Sequence, residues 1–401
     1  MSGALIVQAL RTPRGAAKAS GSLHSLSPAQ LLAGHLRELR ERSSVPTDQV
    51  ADAVFGCVTQ TGEQGGNIGK IACMLSGWSP EMPAVTLNRY CTSGLSAVGW
   101  AAQQAMAADR LSLAGGVEMM SRVPMLSDQP DFVRDNDLAR QIGYLPPPWS
   151  SDLVATRMGL SRSDCDAYAA LSQARAAAAR TLPMPSRVPV HDAQGQLLLA
   201  HDENVREGST AEKLASLKTV YEDGANGLDA WALAREPGLG RIVHVHTAGN
   251  APCMADGAAA VLLGSPHAVR AAGLTARARI LSCAEACVTL VQTGAVQASQ
   301  EALRRAGLSP SDIELWEVRD SFAAITLHYL RSLDIDLDRF NVNGSAIALG
   351  HPLGATGAML ISCLLDEMDR RDLRLGLVAI AGAMGVATAA VIERLPGGMH
   401  A

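Results

Sequence analysis

A pattern of short strand, small-residue loop and helix occurs once in each half of this 401-residue chain. In the first half, Cys91 lies between a predicted strand at 84–88 and a predicted helix at 93–109. In the second half, His351 lies between a predicted strand and a predicted helix at 354–371. Strands that alternate with helices favour a mainly parallel sheet with helices on both faces. The pattern therefore predicts an α/β protein of two duplicated halves, with a site between them.

Cys91 is a candidate nucleophile. The residues after it are small and open a predicted helix, which places the thiol at a helix N-terminus. Unpaired backbone N–H groups and the positive end of the helix dipole favour a thiolate there, and the thiolate is the reactive form of cysteine. The alternative is a buried structural cysteine, which is what most free cysteines are.

His351 is a candidate general base. It lies between Gly350 and Pro352 in the second strand-to-helix loop. Proline fixes the backbone, and glycine permits the close approach of a substrate. A neutral imidazole in this loop can take the proton of Cys91 and later donate a hydrogen bond to a thioester carbonyl. The alternative is a histidine whose polar atoms are satisfied inside the fold.

Longer segments around these residues resemble those of the thiolases, and the resemblance extends from Arg11 to Gly385. The similar segments are residues 88–95, 114–121, 247–250, 256–259 and 350–357. The resemblance implies an α/β fold of two duplicated halves with five-layered αβαβα packing and an inserted loop domain. It also implies an enzyme that condenses or cleaves acyl-CoA thioesters through an acyl-cysteine.

The resemblance divides the chain into three parts. Residues 1–120 would form the N-terminal half, completed by about 247–268, and residues 269–401 the C-terminal half. Between them, residues 121–246 are punctuated by prolines. By resemblance, this middle part is a loop domain that covers the active site and binds coenzyme A.

The resemblance also implies the site residues. Cys91 would carry the acyl group and His351 would activate it. Oxyanion donors would come from these loops and from Gly382 and Gly385, with Arg319 as a further oxyanion or substrate contact. The implied substrate and coenzyme A contacts are Met120, Ala248, Gly249, Asn250, Pro252 and Phe322.

The chain departs from the family at a position that carries chemistry. Ordinary thiolases have a Cys-x-Gly-Gly-Gly-x-Gly loop near the C-terminus, and its cysteine moves the proton at the substrate α-carbon. The matching segment is residues 379–385, in which Ala379 stands at the cysteine position and two of the three glycines are alanines. Because alanine cannot move a proton, the chain resembles an atypical thiolase with altered acid–base chemistry.

A second departure introduces a fixed cation. Thiolases carry Asn-Glu-Ala-Phe, whose asparagine holds a water in an oxyanion hole, and the matching residues 319–322 are Arg-Asp-Ser-Phe. Arg319 can stabilise an enolate or bind a substrate carboxylate. The alternative is a salt bridge to Asp320 or Glu317. If Arg319 is buried beside the cysteine and the histidine, it would favour the thiolate and hold acyl groups that carry a carboxyl.

The acyl pocket is expected to be reshaped. Residues 146–149, Pro-Pro-Pro-Trp, replace a His-Met-Gly segment whose methionine lines the acyl pocket in the short members. Pro252 replaces a serine that contacts the pantetheine in many members. The resemblance therefore does not give the acyl chain.

Composition excludes several other classes. A formal net charge of −5 gives no basic surface for nucleic acid. The absence of a long apolar run and of a signal-peptide pattern predicts a soluble, cytoplasmic protein without membrane contact. The 8 cysteines do not suggest a disulfide framework in a chain of this length. A metal site is not expected, since Cys283 and Cys287 lack a second pair and His244 and His246 would point to opposite faces of a strand.

Three functions remain open at this point. The first is a thiolase-type acyl-CoA C-acyltransferase with no tightly bound cofactor and with coenzyme A as substrate or product. The second is a decarboxylating ketosynthase-like enzyme, or an O- or N-acyltransferase, which needs no α-proton abstraction. The third is a thiolase subunit that works with a small acyl-handling partner protein. The resemblance also implies a homodimer or tetramer, with residues 67–84 near the contact.

Overall fold

The computed structural model describes residues 3–400, apart from the side chains of Asn226 and of residues 397–400. Its strands are β1 (Leu5–Arg11), β2 (Gly15–Ala16), β3 (Val50–Gly56), β4 (Ala84–Leu87), β5 (Leu111–Met119), β6 (Val190–His191), β7 (Leu197–Leu199), β8 (Ala255–Gly264), β9 (Thr275–Cys287), β10 (Leu315–Val318), β11 (Leu375–Ala381) and β12 (Val386–His400). Its α-helices are α1 (Pro28–Ser43), α2 (Ile68–Leu75), α3 (Ser93–Ala108), α4 (Asp131–Arg134), α5 (Asn136–Gln141), α6 (Pro147–Met158), α7 (Arg162–Ala178), α8 (Ala211–Ala215), α9 (Leu228–Leu233), α10 (Pro266–Ala271), α11 (Ala295–Ala306), α12 (Ala323–Leu333), α13 (Ala346–Leu349) and α14 (Leu353–Arg371).

A mixed sheet runs through the molecule in the order β10-β11-β12-β9-β1-β8-β5-β3-β4, with β2 paired to β8. The same pairing pattern occurs in both halves. β3 is parallel to β5 and β5 is antiparallel to β8. Likewise, β10 is parallel to β11 and β11 is antiparallel to β12. β1 and β9 join the halves through the pairs Leu5–Arg279 and Ile6–Ala278, so the predicted duplication is present in the topology.

The prediction of a mainly parallel sheet was wrong. β3 is parallel to β4 and β5, but β1 is antiparallel to both β8 and β9, and β12 is antiparallel to both β9 and β11. A parallel pair needs a long crossover connection. Residues 382–385 alone join β11 to β12, and a connection that short permits only an antiparallel hairpin.

Three apolar cores separate five layers. On one outer side, α1 and α2 cover the N-terminal strands in a core that includes Leu32, Phe55 and Leu113. On the other outer side, α11 and α12 cover the C-terminal strands. Between the two sets of strands, α3 and α14 pack together in a core that includes Leu95 and Met359. This order of layers is the αβαβα packing that the resemblance implied.

Glycines allow the N-terminal ends of α3 and α14 to meet in the central layer. A Cβ atom on Gly94 would lie 2.5 Å from the carbonyl oxygen of Gly354, which is inside contact distance. A Cβ atom on Gly354 would lie 2.8 Å from the Cα of Cys57. The loops that precede these helices carry Cys91 and His351, so the close contact brings the two candidate residues to the same place.

A buried carboxylate joins the two halves at this point. Glu118, near the end of β5, is fully buried. Its oxygens accept hydrogen bonds from the amides of Val58 (2.9 Å), Thr59 (3.1 Å) and Gly354 (2.9 Å), and from the side chain of Gln64 (2.8 Å). Gly354 belongs to the first turn of α14, where the helix dipole also favours a negative charge. One side chain thus fixes the start of the C-terminal helix against a loop of the N-terminal half.

Residues 121–246 contain the helices α4–α9 and the small β6–β7 sheet. Their polar centre is the buried Asp152, whose carboxylate hydrogen-bonds the Nδ1 atoms of His244 (2.8 Å) and His246 (2.7 Å). The predicted opposite orientation of the two rings was wrong. Residues 241–246 do not form a strand, and both rings turn toward the same carboxylate.

Replacing Glu118 with alanine is expected to lower the free energy of unfolding by roughly 3 kcal/mol or more, because three buried amides lose their acceptor at about 1–3 kcal/mol each. Urea unfolding followed by circular dichroism measures the change. Glu41→Ala, at an exposed position of α1, is the control and should leave the midpoint unchanged. Glu118→Gln keeps the shape of the side chain and one acceptor oxygen, so its urea midpoint should lie between those of the wild type and Glu118→Ala. Equal midpoints for wild type and Glu118→Ala would contradict the role assigned to Glu118.

Candidate active site

Cys91 lies at the end of a tightly constrained loop and is partly exposed. The preceding residue, Tyr90, has φ +49°, a left-handed conformation that is uncommon outside glycine. Its amide donates to Asn88 Oδ1 (2.8 Å). The Ser93 hydroxyl accepts from the Arg89 amide (2.8 Å) and donates to the Tyr90 carbonyl (2.5 Å). These bonds hold the strained turn and fix the direction of the Cys91 thiol.

The helix that follows contributes less to Cys91 than the sequence suggested. α3 begins at Ser93, two residues after the cysteine. The amides of Thr92 and Ser93 donate back to the carbonyls of Arg89 (3.2 Å) and Tyr90 (3.0 Å). These N–H groups are therefore not available to the sulfur. The full positive charge near Cys91 comes instead from Arg319.

Arg319 is buried and lies beside Cys91. Its guanidinium donates to Ser321 Oγ and, at 3.4 Å, to Gln292 Oε1. Burial lowers the pKa of Arg319, whereas the charge of a Cys91 thiolate, the nearby Asp320 and a hydrogen bond with Cys91 raise it. The Nε atom is buried and has no hydrogen-bond partner in the described chain. The Arg319 guanidinium therefore lies beside the Cys91 sulfur, and its Nε–H group has no acceptor within the described residues.

The alternative of a structural salt bridge is not what the geometry gives. Within the described residues, Arg319 makes no ion pair with Asp320 or Glu317. Asp320 instead accepts from Ser172 Oγ (2.8 Å) and from the amide of Ile347 (2.8 Å). The positive charge of Arg319 is therefore not neutralised by an ion pair with either carboxylate.

His351 is held as a neutral ring. Its amide donates to the Cys253 carbonyl (2.8 Å), and its Nδ1 lies 2.7 Å from Thr356 Oγ1. Burial lowers the pKa of His351 well below its ordinary value, and the charges of Arg319 and Arg14 lower it further. When Nδ1–H donates to Thr356, Nε2 carries the lone pair. That Nε2 is buried without a partner among the described residues, and the ring lines the same cleft as Cys91.

Cys91, Arg319 and His351 meet in a cleft of about 350 Å³. The loop 88–91, the segment 125–148, the segment 251–254 and the His351 loop form its walls. Most of the other lining side chains are apolar: Val58, Met125, Leu126, Pro130, Phe132, Pro147, Pro148, Pro252, Met254, Phe322 and Leu353. The chemistry-bearing groups are thus grouped at one place in a largely apolar pocket.

The loop at 379–385 lies against Cys91 but contributes less than expected. Ala379 is fully buried within β11, and its neighbours in the core include Val318 and Ala323. The Gly382 amide donates to the Val386 carbonyl (2.7 Å), so it is not free to bind an oxyanion. The Gly385 carbonyl accepts from the amide of Val288 (3.0 Å), and of this loop Ala383 lines the cleft.

The residues expected to contact substrate or coenzyme A separate into two groups. Pro252 and Phe322 line the cleft. Asn250 does not, because its side chain is committed within the fold: it bonds Asp166 Oδ1 (2.8 Å), the Val245 carbonyl (3.1 Å) and the Thr247 amide (2.9 Å). Met120, Ala248 and Gly249 do not line this cleft either.

Three contributors to the site were missed by sequence reasoning. Thr356 orients the histidine ring, and Gln292 contacts the arginine. Glu118 fixes the start of α14. Only Glu118 had a usable signal, since a charged residue in the apolar run 111–119 must have partners. Thr356 lies in a helix and Gln292 in a loop, and an uncharged polar residue gives no comparable signal there.

Other kinds of site are not seen. No group of histidine, cysteine, aspartate and glutamate among residues 3–400 could hold a metal ion. No helix in this range is long and apolar enough to cross a membrane.

Replacing Arg319 with glutamine is expected to raise the pKa of His351, because one of the positive charges that lowers it is removed. Nuclear magnetic resonance titration of the histidine rings measures the pKa, with the His351 signal assigned from its loss in His351→Gln. Arg305→Gln, an exposed arginine paired with Glu301, is the matched control. An unchanged His351 titration in Arg319→Gln would show that the guanidinium does not act on the ring.

The chain is similar to known proteins along almost its whole length. Residues 4–228 match the thiolase N-terminal domain, and residues 274–394 match the thiolase C-terminal domain. The chain is 36% identical to a β-ketoadipyl-CoA thiolase of Pseudomonas putida over 97% of this chain and 99% of that protein. It is 37% identical to a 3-ketoacyl-CoA thiolase of Cronobacter sakazakii, over 98% of this chain and 99% of that protein.

A solved structure shows the same fold. The dimeric peroxisomal thiolase of Saccharomyces cerevisiae superposes with a TM-score of 0.84 at 28% identity, covering 98% of both chains. The family matches together span most of the chain, and the relatives align over nearly all of it. The chain therefore belongs to the thiolase family and is an acyltransferase that acts on coenzyme A thioesters.

Proposed function

We propose that this protein forms or cleaves the carbon–carbon bond of a 3-ketoacyl-CoA through an acyl-Cys91 intermediate, with His351 as the activating base. One observation supports the proposal above all. The partnerless Nε2 of a neutral His351, the guanidinium of Arg319 and the Cys91 thiol share one largely apolar cleft. A base, a cation and a nucleophile are the groups that acyl transfer to sulfur requires.

The acylation step follows from these groups. His351 Nε2 takes the proton of Cys91, and the thiolate attacks the thioester carbonyl. The tetrahedral intermediate then expels the thiolate of coenzyme A, which receives the proton back from the imidazolium. Because the pKa of His351 is depressed, the ring remains an unprotonated base below the pH at which an ordinary histidine becomes charged.

Arg319 is proposed to stabilise the oxyanion of this reaction. The family places an asparagine-held water at this position, and here a guanidinium with a free Nε replaces it. A fixed cation in a buried cleft stabilises developing negative charge without reorganisation. Arg319 also supplies a donor in place of the Gly382 amide, which donates to the Val386 carbonyl and so cannot donate to the oxyanion.

The carbon–carbon step is proposed to differ from that of ordinary thiolases. Ala379 stands where the family has its second cysteine, so the α-carbon proton needs another carrier. An enolate stabilised by Arg319 makes the α-proton more acidic, which lowers the demand on the base that removes it in the condensation direction. Each general acid–base step contributes about 10²–10⁴-fold, so slow carbon–carbon chemistry with normal acylation is expected.

A decarboxylating condensation is the second candidate. Arg319 lies at the sulfur, where a carboxylate one carbon from a thioester carbonyl would be placed. Loss of carbon dioxide from a malonyl thioester leaves the enolate, which attacks the acyl-Cys91 carbonyl and releases the Cys91 thiolate. This route needs no proton transfer from carbon, so it tolerates alanine at position 379.

The protein is also proposed to act as a homodimer or tetramer, with residues 121–246 covering the bound coenzyme A. The yeast relative is dimeric. β4 lies at the edge of the sheet, and apolar side chains are exposed on it and on the neighbouring α2, among them Ile71, Met74, Leu75 and Val85. Apolar residues grouped in this way are typical of an interface between subunits.

Incubation with acyl-CoA esters is expected to give a stoichiometric acyl adduct on Cys91. Intact-protein mass spectrometry detects it, and Cys91→Ala should remain unmodified. Cys287→Ala, which removes an exposed cysteine outside the cleft, is the matched control and should load normally. An adduct that persists in Cys91→Ala would refute the assignment. A lack of any adduct would favour a subunit that works with a partner chain.

Restoring the second cysteine by Ala379→Cys is expected to raise the rate of acetoacetyl-CoA thiolysis by about 10²-fold or more, the lower end of what one proton-transfer step contributes, and to leave acylation unchanged. Ala381→Cys, at the next buried position on the same strand face, is the control. Coenzyme A–dependent loss of acetoacetyl-CoA absorbance measures the rate. Full-speed thiolysis by the wild type would contradict the reading of Ala379. Condensation from malonyl-CoA but not acetyl-CoA would favour the decarboxylating candidate.

A further inference from the structure

We propose that the cleft selects acyl groups with an uncharged, apolar chain and rejects chains that end in a carboxylate. The inference rests on the proposed acyl-Cys91 function and names its substrate class. Similarity to known proteins does not distinguish an apolar acyl chain from one that ends in a carboxylate. Relatives named for β-ketoadipyl-CoA, whose acyl chain ends in a carboxylate, and for 3-ketoacyl-CoA are equally similar to this chain, at 36% and 37% identity.

The walls of the cleft favour an apolar chain. Met125, Leu126, Pro147 and Pro148 line it, together with a packed aromatic pair. In that pair, the rings of Phe132 and Tyr144 lie 4.7 Å apart and are tilted by 51°. A hydrocarbon chain placed against these side chains gains its stability from burial, at about 0.8 kcal/mol for each buried CH₂ group.

The charges of the cleft oppose a distal carboxylate. Among the described lining residues, Arg319 is the one permanently charged cation, and it is engaged at the Cys91 sulfur. In an extended six-carbon chain whose thioester carbonyl is at Cys91, four CH₂ groups separate a terminal carboxylate from that carbonyl and so from Arg319. The remaining charged residue of the lining is the carboxylate Asp128.

Asp128 lines the same cleft as Phe132 and Tyr144 and is itself exposed, so its carboxylate lies at the mouth of the cleft. Burial raises the pKa of Tyr90, and the charge of Asp128 raises it further. The nearby Tyr90 in turn acts on Tyr144, whose pKa is also raised, chiefly by burial. A chain-terminal carboxylate placed against the apolar walls would lose its water, which opposes binding. The exposed Asp128 adds a like charge, which solvent screens in part.

Binding to the Cys91→Ala protein tests the inference without any acyl transfer. Hexanoyl-CoA and adipyl-CoA have the same chain length and differ only in the terminal carboxylate, so the coenzyme A contribution cancels in their ratio. Isothermal titration calorimetry is expected to give hexanoyl-CoA a Kd lower by at least about tenfold, which corresponds to 1.4 kcal/mol.

Reversal of one charge identifies the cause. In the Cys91→Ala background, Asp128→Lys is expected to tighten the binding of adipyl-CoA and to leave that of hexanoyl-CoA little changed. The ratio of the Kd of adipyl-CoA to the Kd of hexanoyl-CoA should then fall to less than about threefold. Glu41→Lys makes the same charge change on α1, away from the cleft, and should leave the ratio as it was.

Each outcome decides the matter. Equal affinities, or tighter binding of adipyl-CoA, would overturn the inference, and an Asp128→Lys variant with an unchanged ratio would remove Asp128 from it. A failure of Cys91 to form an adduct in the wild type would count against the proposed function alone, because the binding ratio is measured without acylation.

Discussion

The buried carboxylate of Glu118 is the interaction on which the geometry of the site depends. It belongs to a strand of the N-terminal half, and it accepts the Gly354 amide of the C-terminal helix α14 together with the amides of Val58 and Thr59. Burial raises the pKa of Glu118, while these hydrogen bonds lower it. Both halves must be folded before all the bonds can form. The meeting of the Cys91 and His351 loops is therefore a consequence of tertiary folding and not of either half alone.

Around this junction the charges are arranged so that the base stays neutral and the cation stays charged. His351 is surrounded by low-dielectric packing and by the positive charges of Arg319 and Arg14, which together oppose its protonation. Arg319 loses hydration on burial, yet arginine is basic enough to keep its charge. The same environment thus keeps the lone pair of His351 unprotonated, while Arg319 remains charged because arginine is intrinsically so basic.

Sequence patterns predicted the features that depend on local rules. Small residues after Cys91 indicated a strand-to-helix loop, and the repeat of elements indicated an α/β fold of two halves. The strand predicted before His351 was wrong, because the helix α13 (Ala346–Leu349) precedes that loop. Features set by distant contacts were not predictable from the same patterns. The antiparallel pairing of β1 with β8 and β9 joins strands that are far apart in the chain. The shared Asp152 contact of His244 and His246 needs the position of α6, and the hydrogen bond from the Gly382 amide to Val386 needs the folded hairpin. Thr356 and Gln292 act on the site through side-chain contacts that leave no periodic signal.

The unpartnered Nε atoms of Arg319 and His351 have a thermodynamic consequence. Buried polar atoms without hydrogen bonds make the empty protein less stable than its packing alone would allow, by about 1–3 kcal/mol for each group. A thioester oxygen or an acyl group that satisfies these atoms removes that penalty. Without a ligand, these two buried groups lower the free energy of unfolding. Apolar side chains at positions 319 and 351 would therefore make the protein more stable, at the expense of the groups that act in the cleft.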